Sequence, residues 1–294
     1  MTTAGRYDPS SRMADHPYQP IESYGAIGNL RSVGLIGANG SLDWLCFPNV
    51  GGGSVFGALL DAEKGGRFKV WVKGASSRQR YLDGTNVLRT AFLPKGSIVS
   101  VTDLMPLWGS IRGKGHSKAL QEVHRLVGCH GRAEHVQVEW SPRPDYARAR
   151  CSIDREGEAW VARWDGGRLS LCGLPEGEVH ETANGPVVTG AFRLERDEER
   201  ALVTRHCSEE LSCSVDGTRE LLERTVETWR GWVHTPMDHE TPGWASEWAH
   251  LVSRSELALK LLIHDDTGAI IAAPTTSLPE AVGGDLNWDY RYSW

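Results

Sequence analysis

The residues best suited to chemistry lie in the last segment of the sequence, Gly283-Gly284-Asp285-Leu286-Asn287-Trp288-Asp289-Tyr290-Arg291-Tyr292-Ser293-Trp294. Aromatic faces pack on the apolar C–H faces of sugars, while Asn, Asp and Arg fork hydrogen bonds to hydroxyl pairs, so the mixture suits a carbohydrate site. The same residues also suit plain packing, with the aromatics filling a helical core. Residue types alone leave both readings open. Elsewhere the motifs fail on spacing. Gly34-Leu35-Ile36-Gly37-Ala38-Asn39-Gly40 and Gly51-Gly52-Gly53-Ser54-Val55-Phe56-Gly57 lack the dinucleotide fingerprint and a following helix, so they read as turn glycines. Gly109-Ser110-Ile111-Arg112-Gly113-Lys114-Gly115 misses a phosphate-cradling loop by one residue and reads as a solvated loop. Cys129-His130 with His135, Cys207 with Cys213, and Asp238-His239-Glu240 hold ligand types without zinc spacing, so no metal and no cofactor are expected. There is no G-x-S-x-G nucleophile elbow. Arg143, Arg148 and Arg150 read as a solvated face.

Composition bounds what must position these residues. The chain has 294 residues, 40% hydrophobic and 24% charged, enough to bury a sizeable core. A formal net charge of −6 argues against a nucleic-acid partner, which needs an excess of basic surface. No run approaches the roughly 18 apolar residues that span a bilayer, and the opening residues 1–17 lack a signal-like apolar stretch. No membrane association, a disordered leader over 1–17 and a cytoplasmic location are therefore expected. The six cysteines form no C-x-x-C pair and are expected as reduced, mostly buried thiols.

From residue 21 to about 215 the pattern is one of short alternating segments punctuated by Gly, Pro, Asn and Asp. Val33 to Ile36 and Leu42 to Phe47, joined by Ala38-Asn39-Gly40-Ser41, read as a hairpin on a type I′ turn. Phe68, Val70 and Val72 point one way along their strand, as do Val136, Val138 and Trp140. Further runs are Ser97 to Thr102, Glu158 to Trp164 with Trp160, Ala162 and Trp164 aligned, and Pro186 to Leu194. Many strands at short spacing without intervening helices predict a β-sandwich. At Thr218, a candidate N-cap, the period changes: Leu222, Val226, Trp229 and Val233 predict a helix over 219–233. Residues 234–243 carry two prolines and read as a linker. Beyond it Trp244, Trp248, Leu251, Ser255, Leu259, Leu262 and Ile263 fall on one face of a second helix. Six of the twelve tryptophans, Trp229, Trp232, Trp244, Trp248, Trp288 and Trp294, lie in this last part.

Several ordered stretches carry a resemblance. They are Tyr18 to Ile21, Gly34 to Gly37, Gly40 to Pro48 (GSLDWLCFP), Ser54 to Asp61, Gly66-Arg67-Phe68, Tyr81, Thr85-Asn86-Val87-Leu88 and Val101 to Pro106. They continue with Arg254-Ser255, Leu257 to Leu261, Ala273 to Glu280 and Asn287-Trp288-Asp289-Tyr290-Arg291. In this order the chain resembles the amino-terminal part of bacterial glycoside hydrolase family fifteen proteins, which include glucoamylases, glucodextranases and trehalases. The resemblance implies a mainly β fold: an amino-terminal β-sandwich over 18–218, a helix and linker over 219–242, and over 243–294 the truncated start of an incomplete (α/α)6 barrel. It implies an inverting α-glucoside hydrolase, with one glutamic acid protonating the glycosidic oxygen and a second activating water. Both glutamates would fall in later barrel segments, so no catalytic residue is expected here and the chain alone should be inactive. Tyr290 and Trp294 match the aromatic pair lining a terminal-glucose subsite, with trehalose or a malto-oligosaccharide as the partner. The loop Val50-Gly51-Gly52-Gly53 departs from the family's Asp-Ser-Pro run. A non-catalytic sugar-binding or scaffolding module, or a non-functional remnant, is the alternative. Fifty-odd residues cannot close a barrel of twelve helices, so the apolar helix should lie against the sandwich or drive self-association.

Overall fold

A computed structural model describes residues 18–113, 115–233, 248–276 and 283–293. The expected leader over 1–17, the linker over 234–243, and the residues Trp244 and Trp294 lie outside the described residues. Two antiparallel eight-stranded sheets face each other. The first runs, edge to edge, through Tyr24–Gly28, Val33–Gly37, Ser41–Cys46, Phe68–Trp71, Glu134–Trp140, Gly185–Leu194 and Gly177–Thr182, with Ser54–Phe56 paired onto Ser41–Cys46. The second runs through Ser152–Glu156, Ala159–Trp164, Gly167–Cys172, Glu199–His206, Glu122–Gly131, Ser97–Leu104, Leu88–Leu93 and Ser76–Tyr81.

The alternation explains the sandwich. Phe68, Val70, Val136, Val138 and Trp140 from the first sheet meet Val99, Val101, Val127, Leu169, Leu171 and Leu202 from the second in one buried cluster. Side chains one residue out of register face the other way, because the strand period is two. On the second sheet those out-facing residues are apolar as well. Leu126, Ala159, Val161, Cys172, Ala201 and Val203 form a second layer, and Val215 and Leu222 of the Val215–Val233 helix pack on it. The strand Glu122–Gly131 is consequently buried at every position from Glu122 to Cys129.

The structure corrects four expectations. The Ala38–Ser41 connection is not a two-residue turn: Gly40 alone takes a positive φ, +79°, and its N–H closes a turn on the Gly37 carbonyl at 2.9 Å. Three residues, with glycine in the left-handed position, thus join the strands. The first helix begins at Val215, where the Ser214 hydroxyl accepts the Gly217 N–H at 3.0 Å. Ser214 is its cap, and Thr218 is a buried helical residue facing His124 Nδ1 at 3.0 Å.

The second helix, Ala249–Leu261, turns a different face to the sandwich from the one its spacing suggested. Leu257 and Leu261 are buried with Leu30, Val33, Leu107, Ile111 and Trp229, whereas Trp248, Leu251 and Leu259 are 53%, 47% and 55% exposed. Polar anchoring decides the rotation. Arg254 lies 3.9 Å over the Tyr81 ring, donates to the Thr85 carbonyl at 2.7 Å and pairs with the Asn86 side-chain oxygen, while Asn86 Nδ2 donates to Leu257 O at 3.0 Å. The fourth correction is Arg143. It is buried, and its guanidinium donates to the carbonyls of Pro142, Gly185 and Pro186, because an arginine fork satisfies several backbone oxygens where two strand ends converge.

Candidate functional site

The segment rich in aromatics and acids meets the sandwich at one loop. After the strand Ser41–Cys46 the chain passes through Pro48 to Gly53 before entering Ser54–Phe56. The Asn49 side-chain oxygen accepts the Gly51 N–H at 3.0 Å and the Asn49 carbonyl accepts the Gly52 N–H at 2.9 Å. An asparagine that binds its own following backbone in this way makes a tight turn. It leaves the carbonyls of Val50 and Gly52 available, and Arg291 Nη1 donates to both, at 3.0 and 2.8 Å. A Cβ on Gly52 would stand 2.4 Å from the Phe47 carbonyl oxygen, so only glycine fits this turn.

The rest of the Arg291 fork grips Asp289. Nε lies 2.9 and 3.2 Å from the two carboxylate oxygens and Nη2 lies 2.6 Å from Oδ2. The Arg291 side chain keeps 7% of its exposure. Hydrogen bonds from Arg291 hold the Asp289 carboxyl below the usual carboxylate range. Burial opposes the arginine's charge, but the Asp289 bond with Cys46 and Tyr146 more than offsets it, so its pKa is raised. Burial pushes the neighbouring Cys46 thiol up to about 12, which makes it inert.

Tyr146 completes the contact. Its ring lies 5.6 Å from the Arg291 guanidinium and 6.4 Å from the Trp44 ring, and its hydroxyl donates to Gly52 O at 3.4 Å. Tyr146 sits in a left-handed turn in which Asp145, Tyr146 and Ala147 have φ of 52°, 58° and 61°. Each such non-glycine residue costs about 1–2 kcal/mol, so the surroundings must fix the turn. The Tyr146 N–H donates to Ser54 Oγ at 3.2 Å, and a Cβ on Gly53 would come within 3.3 Å of Asp145 Cα. Strain concentrated where a ring is aimed at a neighbouring segment points to function.

Three further bonds tie the preceding chain to the sandwich and the segment to that preceding chain. Trp44 Nε1 donates to Pro274 O at 2.9 Å, and the N–H groups of Ala272 and Ala273 donate to the carbonyls of Tyr292 and Tyr290 at 3.2 and 2.9 Å. Tyr290, the matched subsite tyrosine, is therefore half-buried with its backbone fixed. Its intended companion Trp294 lies outside the described residues. Asp289 and Arg291 do not behave as free sugar-binding groups: they are spent on each other and on the sandwich. Sequence reasoning also missed Tyr146, Val50 and Gly52, and only the Gly51-Gly52-Gly53 run signalled that a close backbone approach occurs there.

Other singled-out motifs are structural. In the Gly109–Gly115 loop, Gly109, Ser110, Arg112, Gly113 and Gly115 are exposed, as a solvated loop requires, while Ile111 is buried and the Gly115 N–H donates to the Asp265 carbonyl at 2.9 Å. Among the described residues no group of three or more His, Cys, Asp and Glu could hold a metal, and no helix is long and apolar enough to cross a membrane.

Comparison with known proteins places this architecture. The chain is 32% identical over 282 residues to a trehalase of Thermoplasma volcanium, covering 94% of this chain and 43% of that one. It is 29% identical over 310 residues to a trehalase of Mycobacterium tuberculosis, covering 97% of this chain and again 43% of the relative. It thus spans less than half the length of these relatives. Among solved structures, a putative kojibiose phosphorylase from human microbiome superposes with a TM-score of 0.35 at 12% identity, over 74% of this chain and 36% of that one. The model of the family described as trehalase-like, N-terminal, matches residues 12–163. With more than half of its residues inside that match, the chain belongs to the trehalase-like amino-terminal family.

Proposed function

We propose that this chain is the amino-terminal part of a trehalase-type α-glucoside hydrolase, in which the sandwich seats the segment around Tyr290 at the sugar and Trp294 adds a second aromatic contact. The observation that carries this reading is the Arg291 clamp. A guanidinium bound to Asp289 and to two sandwich carbonyls fixes the backbone on either side of Tyr290. Positioning of this kind is what a sugar subsite needs, since a misplaced aromatic loses both its packing and its orientation. Inverting hydrolysis would further require two carboxylates roughly 6.5–9.5 Å apart. In this reading both come from chain that the longer trehalases have beyond the matched part. Tyr290 and Trp294 contribute binding, with trehalose preferred over malto-oligosaccharides because the named relatives are trehalases.

The test is to incubate the purified chain with trehalose, maltose and maltotriose and follow glucose release, and in parallel to titrate each sugar by calorimetry. No release above a heat-killed control and weak, trehalose-selective binding that is lost in Tyr290→Ala are expected. Glucose release by the chain alone, or binding indifferent to Tyr290→Ala, would overturn the reading.

A further inference from the structure

Ala147, next to Tyr146 in the left-handed turn, lines an open cavity of about 470 Å³. The opposite wall is the connection between the strands Gly177–Thr182 and Gly185–Leu194. Three cations border the cavity: Lys64 ahead of the strand Phe68–Trp71, Arg143 just after Glu134–Trp140, and Arg150 beyond the turn. Lys64 and Arg150 are exposed, and among the described residues neither has an ion pair. Glu181 is the acidic residue on the wall, so three cations against one carboxylate leave a positive excess of two in a chain whose formal charge is −6.

Arg143 distinguishes this cavity from a basic surface patch. It is 5% exposed, and its guanidinium is held in place by the carbonyls of Pro142, Gly185 and Pro186. Gly185 permits the approach: its φ is +103°, and a Cβ there would lie 3.4 Å from Arg143 Cζ. The carbonyls take both Nη1 hydrogens and one from Nη2, while the buried Nε–H has no acceptor. Nε and Nη2 form the edge with which an arginine grips an oxyanion side-on. Burial also works against the Arg143 charge, with Cys151, Glu139 and Glu181 opposing it. An anion seated against this guanidinium relieves that cost and can offer the acceptor that Nε lacks.

Charge and size select the ligand. A phosphomonoester carries about −1.5 to −2 at pH 7, which matches the excess on the wall, whereas a carboxylate is a monoanion. The volume is that of a metabolite site and more than a bare oxyanion fills. Ala147 and the exposed Asn184 beside the cations suit an organic body that carries hydroxyls.

We propose that this cavity binds a small phosphomonoester, with Arg143 at its base and Lys64 and Arg150 at its rim. The phosphate lies between the three cations, and the organic body extends along Ala147 towards Asn184.

Calorimetric titration of the full chain with glucose 6-phosphate, inorganic phosphate, gluconate and glucose tests this. Glucose 6-phosphate should bind, inorganic phosphate and gluconate at least about tenfold more weakly, and glucose not at all. Lys64→Gln and Arg150→Gln, both at exposed positions, should each weaken glucose 6-phosphate binding about fivefold, and the two together by more than about tenfold. Hydrogen exchange should slow at 147–151 and 181–186 when the ligand is added. Equal affinity for glucose 6-phosphate and inorganic phosphate, affinity unchanged in the double variant, or no binding of glucose 6-phosphate at millimolar concentration would overturn the proposal.

Discussion

The same device is built twice in this molecule, once in the sandwich core and once at its margin. In the core, Arg125 binds Asp103 at 2.8 Å and donates to the carbonyls of Phe68 and Gly40 at 2.6 and 2.8 Å, and both charged side chains are fully buried. At the margin Arg291 binds Asp289 and the carbonyls of Val50 and Gly52, with 7% and 28% of the two side chains exposed. Each clamp ends on a glycine carbonyl at a turn where a Cβ would collide with backbone. The environments act in opposite directions on the carboxylates. Burial raises Asp103 even against Arg125, whereas the bonds from Arg291 lower Asp289. The core clamp joins the two sheets and cannot be undone without leaving a buried charge unpaired. The marginal clamp joins a late segment to a finished surface, and water can replace its partners.

Arg125→Met should have the largest effect. Losing one partner of a buried pair costs about 3–5 kcal/mol, and urea denaturation should show this as a lower midpoint with an unchanged slope. A double change, Asp103→Leu with Arg125→Met, should cost less than the single one. Equality of the two would erase the distinction between the clamps. Arg291→Met should cost about 1–3 kcal/mol, confined to residues 283–293. Hydrogen exchange there should rise while the strand Glu122–Gly131 stays protected, and a matching loss in that strand would mean that the segment is integral to the sandwich.

Acid should separate the clamps next. A depressed folded-state pKa stabilises above the unfolded value, so the Asp289 contribution is present above about pH 3.9 and is lost as the pH falls through its lowered folded value. Asp103, raised on folding, acts with the opposite sign. Exchange at 283–293, corrected for intrinsic rates, should therefore increase below that pH before the core opens; simultaneous opening would contradict the assignment. The smallest effect concerns the left-handed turn beneath Arg291. Ala147→Gly should stabilise the fold by about 0.5–1 kcal/mol, read as a small rise in Tm, and a fall in Tm would show that the turn is unstrained.

The core was legible in the sequence because burial there follows the strand period. Phe68, Val70 and Val72, then Val136, Val138 and Trp140, announced their face and kept it. The second sheet was less legible. Ala159 and Val161 are buried as fully as Trp160 and Ala162, on the opposite side, because a helix distant in sequence covers them. The Ala249–Leu261 helix misled for a related reason: its apolar count favoured Trp248, Leu251 and Leu259, but Arg254 and Asn86 set the rotation. At the candidate site the aromatic and acidic types pointed to the right segment. They did not reveal that Arg291 faces the sandwich, since its acceptors are backbone carbonyls, and backbone atoms leave no mark in residue identities.

The spacing of the Arg291 contacts along the chain has a consequence in time. Val50 and Gly52 precede their arginine by 241 and 239 residues, and Trp44 precedes Pro274 by 230. At a synthesis rate of about 5–20 residues per second, roughly 12–48 s separate emergence of the loop from that of its ligand. The last sandwich strand ends at His206, 85 residues before Arg291, so for about 4–17 s of that interval a complete nascent sandwich presents the Val50 and Gly52 carbonyls without their arginine. The Asn49 turn and the Asp145–Ala147 turn use residues already synthesised, so the receptor for Arg291 can assemble first and wait.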